Sequence, residues 1–157
     1  MDGELNALGY PHVTTDTTQR FEGGCHCGNV AYVFAASAGL DDLGVRACLC
    51  RFCRAHGARY TSDPSGAIRI AVRDGAKLRR YRFALKTADF LLCTECGVYV
   101  GAMLTATNGA WMTVNVNSFR TPPPLHFPLG PHNFDAEDVA ARIARRQARW
   151  TPIKEFA

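Results

Sequence analysis

Phe90-Leu-Leu-Cys-Thr-Glu-Cys-Gly97 is the stretch on which the fold turns. A Cys-x2-Cys turn aims two sulfurs at one metal, and the glycine that follows relieves the tight backbone. Its counterpart lies far upstream, where Cys25 and Cys27 stand between Gly23-Gly24 and Gly28. Zinc takes four ligands in a tetrahedron, with thiolate sulfur at about 2.3 Å. Cys25, Cys27, Cys93 and Cys96 are therefore expected to close a structural zinc site that pins the start of a β core to its middle. The plainer reading, that these are small buried hydrophobes, leaves two glycine-flanked pairs unexplained.

Working outward, the flanking segments read as strands. Val30-Ala-Tyr-Val-Phe34, Ala67-Ile-Arg-Ile-Ala-Val72 and Leu78-Arg-Arg-Tyr-Arg-Phe83 are β-branched, aromatic or alternating. Arg73-Asp-Gly75 between the last two predicts a hairpin turn. Further strands are expected over 88–92, 97–103 and 110–116, with Thr107-Asn-Gly109 as the turn between the last two. Thr121-Pro-Pro-Pro-Leu-His-Phe-Pro-Leu-Gly-Pro131 predicts an extended connector, because proline lacks the donor that ladders and helices need. A helix should follow, capped by Asp135 with Phe134 stapled to Val139, and ending near Arg149 before Thr151-Pro152. Its acidic start and basic end suit the helix dipole. The organisation is thus an extension over 1–20, a zinc-binding β domain over 21–120, and a connector with a C-terminal helix over 121–157.

Composition sets the class. A chain of 157 residues with 47% hydrophobic and 20% charged residues is ordinary for one soluble domain. It has no apolar run of membrane-spanning length. The opening Met1-Asp-Gly-Glu4 lacks the basic start and apolar core of a signal peptide, which predicts a cytoplasmic protein with no membrane partner. In a reducing compartment clustered cysteines bind metal or do chemistry, and seven is a number that a disulfide framework cannot use up. The net charge of +4 gathers at Lys77–Arg82 and Arg142–Arg149. The second group is read as a solvated helix face, and the cysteine spacing is not that of a nucleic-acid-binding finger, so no nucleic-acid partner is expected.

The remaining cysteines, Cys48, Cys50 and Cys53, fall within six residues. Three protein ligands leave a zinc with a fourth position, the arrangement of catalytic sites. His56 follows three residues after Cys53 and leaves two readings open. It can close a structural Cys3His site, or it can serve as the proton carrier of an open one. Arg46, Arg51, Arg54 and Arg59 flank the cluster and are candidates to meet an anionic substrate or to lie solvated. Trp111 and Phe119 are candidates to line a cleft beside the trio. His26 is expected to point away from either metal.

Three stretches taken together, Phe21-Glu-Gly-Gly-Cys-His-Cys-Gly-Asn-Val-Ala-Tyr32, Cys48-Leu-Cys-Arg-Phe-Cys-Arg-Ala-His-Gly57 and Phe90–Gly97, resemble the glutathione-dependent formaldehyde-activating enzyme family, whose domain is shared with centromere protein V. The resemblance implies a mainly β fold, an antiparallel β-tent with a C-terminal α-helix. It implies one zinc on Cys25, Cys27, Cys93 and Cys96 and a second on Cys48, Cys50 and Cys53. The activity implied is that of a carbon–sulfur lyase joining glutathione to formaldehyde. A non-catalytic two-zinc module that carries a thiol or binds a protein partner is the competing reading. An exposed β edge would allow a homodimer.

Overall fold

The computed structural model describes Leu5, Gly9 and residues 19–157. Most of the extension expected over 1–20 lies outside the described residues. The elements run β1 (Gln19–Gly24), β2 (Val30–Ala36), α1 (Leu40–Leu43), β3 (Arg46–Cys48), α2 (Arg51–Ala55), β4 (Tyr60–Thr61), β5 (Ala67–Val72) and β6 (Leu78–Tyr81). They continue with β7 (Asp89–Cys93), β8 (Tyr99–Ala106), β9 (Gly109–Asn115), β10 (Gly130–His132), α3 (Val139–Arg149) and β11 (Thr151–Phe156). The chain is mainly β, as expected, and its tent has two wings.

One wing holds β1, β2, β5 and β11; the other holds β6, β7, β8 and β9, extended by β4, β3 and β10. They join where β11 pairs in parallel with β5 and antiparallel with β9. Strand β9 gives one edge to β8 and divides the other between β11, at Trp111 and Met112, and β4, at Val114 and Asn115. Tyr32, Phe34, Ile68, Ile70, Leu91, Met112, Val114 and Val116 meet in the core, each at most 1% exposed. Burying such side chains is the main favourable term of folding, at about 1.5–3 kcal/mol each. No helix of the described residues is long and apolar enough to cross a membrane.

Several expectations need correction. Residues 73–77 do not close a hairpin: β5 pairs with β2 and β11, while β6 pairs with β7. Asn29 captures the turn instead, its Oδ1 accepting from Asp74 N–H at 2.9 Å and its Nδ2 donating to Asp74 C=O at 3.2 Å. The proline connector ends in a strand, with Gly130–His132 parallel to β3 at the sheet edge, where a proline is tolerated. Asp138, not Asp135, caps α3, accepting from Ala141 N–H at 2.8 Å. Asp135 N–H is taken by Asn133 Oδ1 at 2.9 Å, which delays the helix by a turn. Strands β1 and β11 had no counterpart in the sequence reading, and two parallel pairings make the sheet mixed.

Candidate metal centres and the adjoining cleft

The first cysteine group sits where the β1–β2 turn meets the β7–β8 turn. Gly28 and Gly97 take φ of +80° and +77°, which lets each turn fold back on its cysteines. Gly97 N–H donates to Cys93 C=O at 2.8 Å, and Cys25 N–H donates to Val30 C=O at 2.9 Å. The sulfurs of Cys25, Cys27, Cys93 and Cys96 all lie within 4.8 Å of one another. Two of the separations, Cys25 to Cys27 at 3.7 Å and Cys27 to Cys93 at 3.6 Å, are far longer than a disulfide. A tetrahedron with bonds of about 2.3 Å has edges of about 3.8 Å. The donor set and spacing therefore fit a tetrahedral thiolate metal such as zinc. Burial pushes the Cys25 thiol up to about 12. Burial also acts to raise Cys96, but the Cys27 and Val98 backbone N–H groups and the neighbouring thiols bring it down to about 6. His26 is exposed.

The second group is built by the end of β3 and the start of α2. Cys50 caps α2, its Sγ accepting from Cys53 N–H at 3.4 Å, so the cap itself places two of the three sulfurs together. Cys48, Cys50 and Cys53 gather their sulfurs within 4.8 Å, and no other histidine, cysteine or carboxylate of the described residues joins them. A hydrogen bond from Cys53 holds the Cys48 thiol down to about 6 despite burial, and the same bond, with burial, pushes Cys53 up. Of this bonded pair Cys48 is the first to give up its proton.

Behind Cys53 stands a pair of buried tyrosines. Tyr60 Oη lies 3.1 Å from Cys53 Sγ and donates to Tyr99 Oη at 2.8 Å. Burial keeps both phenols firmly protonated. His56, at the end of α2, is exposed and packs its ring on Phe52 at 4.5 Å. Phe52 also meets Phe83, Phe90 and Tyr99 at 4.9–5.1 Å, forming an aromatic wall over the trio.

A cleft with about 460 Å³ of free space, its open mouth included, adjoins Cys48 and Cys53. Arg46, Phe90 and Thr113 line it from the sheet, His132 and Phe134 from β10 and the loop after it, and Arg145, Arg146 and Trp150 from α3 and its end. His132 is Cys48's partner in the β3–β10 ladder, and its C=O accepts from Leu49 N–H at 3.0 Å. Burial, with repulsion from Arg145 and Arg149, lowers Arg46 to about 10. Burial, with Arg145 and Arg142, does the same to Arg146.

The other flanking arginines are elsewhere. Arg59 is buried and structural, donating to Asn117 Oδ1 at 2.7 Å and to the C=O groups of Pro124 and Pro123 at 2.8 and 2.9 Å. Arg51 and Arg54 are exposed. Neither Trp111 nor Phe119 lines the cleft: Phe119 stacks on Phe21 in the opposite wing, and Trp111 packs toward Leu104 and Trp150. No local signal points to Tyr60, His132 or Arg146, since each reaches the site through strand pairing or helix docking.

A sequence profile of the glutathione-dependent formaldehyde-activating enzyme family matches residues 20–128, well over half of the chain. The chain belongs to that family. A solved structure similar to it is the crystal structure of a Rhodobacter sphaeroides protein, 28% identical. That likeness covers 69% of this chain and 99% of that one, with a TM-score of 0.55. Both cysteine groups of this formaldehyde-activating family member lie inside the matched residues. His132, Phe134, Arg145, Arg146 and Trp150, which form the far wall of the cleft, lie beyond them.

Proposed function

We propose that the chain is a zinc-dependent carbon–sulfur lyase that joins a small thiol to an aldehyde at Cys48, Cys50 and Cys53, with the four-cysteine zinc as scaffold. Glutathione and formaldehyde are the pair that the family's description supplies. The observation that carries this reading is the setting of the trio: three converging thiols, two of which (Cys48 and Cys53) border a cleft, gather no fourth ligand from the described residues. A zinc ion held there would keep an incoming thiol as its thiolate.

The chain's own residues account for the rest. Tyr60 would turn its hydroxyl proton to a Cys53 thiolate, and an outer contact of this kind orients a metal ligand. Phe52, Phe90 and Tyr99 keep water from the buried side of the trio. The cleft holds thiol and carbonyl in reacting geometry, which removes much of the entropic barrier. As the carbon–sulfur bond forms, the carbonyl π pair moves to oxygen, and the proton lost by the thiol ends on that oxygen. We assign its transfer to His132, which lines the cleft beside Cys48. His56, whose spacing made it the sequence candidate, serves here as part of the aromatic wall.

The test is the rate of thiol-dependent formaldehyde consumption above the uncatalysed background. Cys50→Ser should abolish it while one zinc per chain remains, and His132→Gln should lower it far more than His56→Gln. Unchanged turnover in Cys50→Ser would sink the proposal.

A further inference from the structure

Two cations line the cleft, Arg46 and Arg146, and formaldehyde itself offers no charge to pair with them. Arg146 is 8% exposed; its Nη1 donates to Thr87 Oγ1 at 2.6 Å, and its Nε is buried with no hydrogen-bond partner among the described residues. Arg46 enters from the opposite side and gives Nη2 to the hydroxyls of Ser62 and Thr113 at 2.9 and 3.0 Å. Their partners are neutral, and among the described residues no carboxylate lines the cleft. Glu137 accepts two N–H bonds from Arg145 at 2.8 and 3.0 Å and acts on Arg146 only through space, with no hydrogen bond to it. Asp135 is exposed and its charge bears on Cys48. A desolvated cation without a counter-ion is costly, and hydroxyl groups offset only part of that cost.

We propose that Arg46 and Arg146 form a carboxylate subsite, so that one of the two reactants carries an acid group close to its reacting atom. This rests on the proposed chemistry of the trio for what is turned over, but not for what is bound. The guanidinium fork matches a planar carboxylate, and Phe90, Phe134 and Trp150 suit a short apolar body between acid and reacting atom. Arg46, on β3, lies inside the residues that the family profile matches, and Arg146, on α3, lies beyond them. The acid can arrive on the thiol, as in a mercapto acid, or on the aldehyde, as in an oxo acid. In either case sulfur adds to the carbonyl carbon and the thiol proton passes to oxygen, with no oxidant or reductant needed.

Trp150 lines the cleft and reports on it by its emission. Propionate, which has neither thiol nor carbonyl to react, is titrated into the zinc-loaded full chain, with propionamide as the uncharged control. A saturable change with propionate is expected, at least about tenfold weaker with propionamide and in Arg146→Gln, since a hydrogen bond to a charged group contributes about 1.5–3 kcal/mol and 1.4 kcal/mol is tenfold. Equal binding of the two ligands to the unaltered chain, or no saturable binding, overturns the subsite whether or not the variant folds. Turnover then assigns the source of the acid. A larger loss in Arg146→Gln for 3-mercaptopropionate with formaldehyde places it on the thiol. A larger loss for glyoxylate with 2-mercaptoethanol places it on the aldehyde. Failure of the Cys50→Ser test with propionate binding intact would remove the lyase reading and leave the subsite standing.

Discussion

Tyr60→Phe isolates what the tyrosine pair does for the trio. Tyr60 is 5% and Tyr99 3% exposed, so water cannot replace a lost partner. The substitution deletes the contact to Cys53 Sγ and the donor to Tyr99 Oη. Each buried bond contributes about 1 kcal/mol, and the stranded Tyr99 hydroxyl costs a further ~1–3 kcal/mol. The sum is about 3–5 kcal/mol. For a chain of this size each kcal/mol moves the melting temperature by about 2–4 °C, so a fall of roughly 6–20 °C is expected. Circular dichroism melts in zinc-replete, reducing buffer give the number. Tyr99→Phe in the same background should recover part of it, because the stranded hydroxyl is gone; the double variant should cost about 2–4 kcal/mol less than the two singles summed. Zinc retention at the trio should fall about 10–100-fold, as for other outer contacts to metal ligands. A Tyr60→Phe protein that melts within a degree of the parent, or a strictly additive double variant, would refute the coupling of this pair to Cys53.

Metal content should be two zinc per chain, one in Cys50→Ser with a cooperative melt retained; a Cys93→Ser chain that still melts like the parent would remove the four-cysteine site as scaffold. Arg59→Ala should free the Pro123 and Pro124 carbonyls and cost about 2–3 kcal/mol, seen as faster proteolysis within residues 121–131. Arg145 holds the Glu137 carboxyl below its ordinary value, so its contribution is present above that ordinary value and lost as pH falls through the lowered one. Melts from pH 6 down to 3 should therefore show a shallower acid decline in Glu137→Gln.

The convergence of the cysteines was legible because each turn is local: Cys93, Cys96 and Gly97 make their turn with their own backbone, and so do Cys25, Cys27 and Gly28. The β8–β9 hairpin was legible for the same reason, with Thr107 and Asn108 turning between paired Ala106 and Gly109. Where partners are distant, local pattern misleads. Arg73-Asp-Gly75 has hairpin residues, yet Asn29 decides what Asp74 does. Thr151–Phe156 carries a proline and two charges and becomes a strand only because β5 and β9 present edges to it. The arginines of α3 have the spacing of a solvated face. Arg146 is buried nonetheless, because β11 draws the end of that helix onto the sheet, where Trp150 packs with Ala102 and Leu104.

The placement of β11 also sets an order of events during synthesis. Both strands it joins leave the ribosome well before it does, so a growing chain carries two open sheet edges until residue 156 has emerged. Such edges recruit other strands, and an incomplete chain is most exposed to aggregation at that stage. A ribosome that stalls between β9 and β11 would leave both cysteine groups made and the two wings unjoined. The cleft would then lack the wall that α3 brings. Full assembly of this protein thus waits on six residues that contain none of its cysteines.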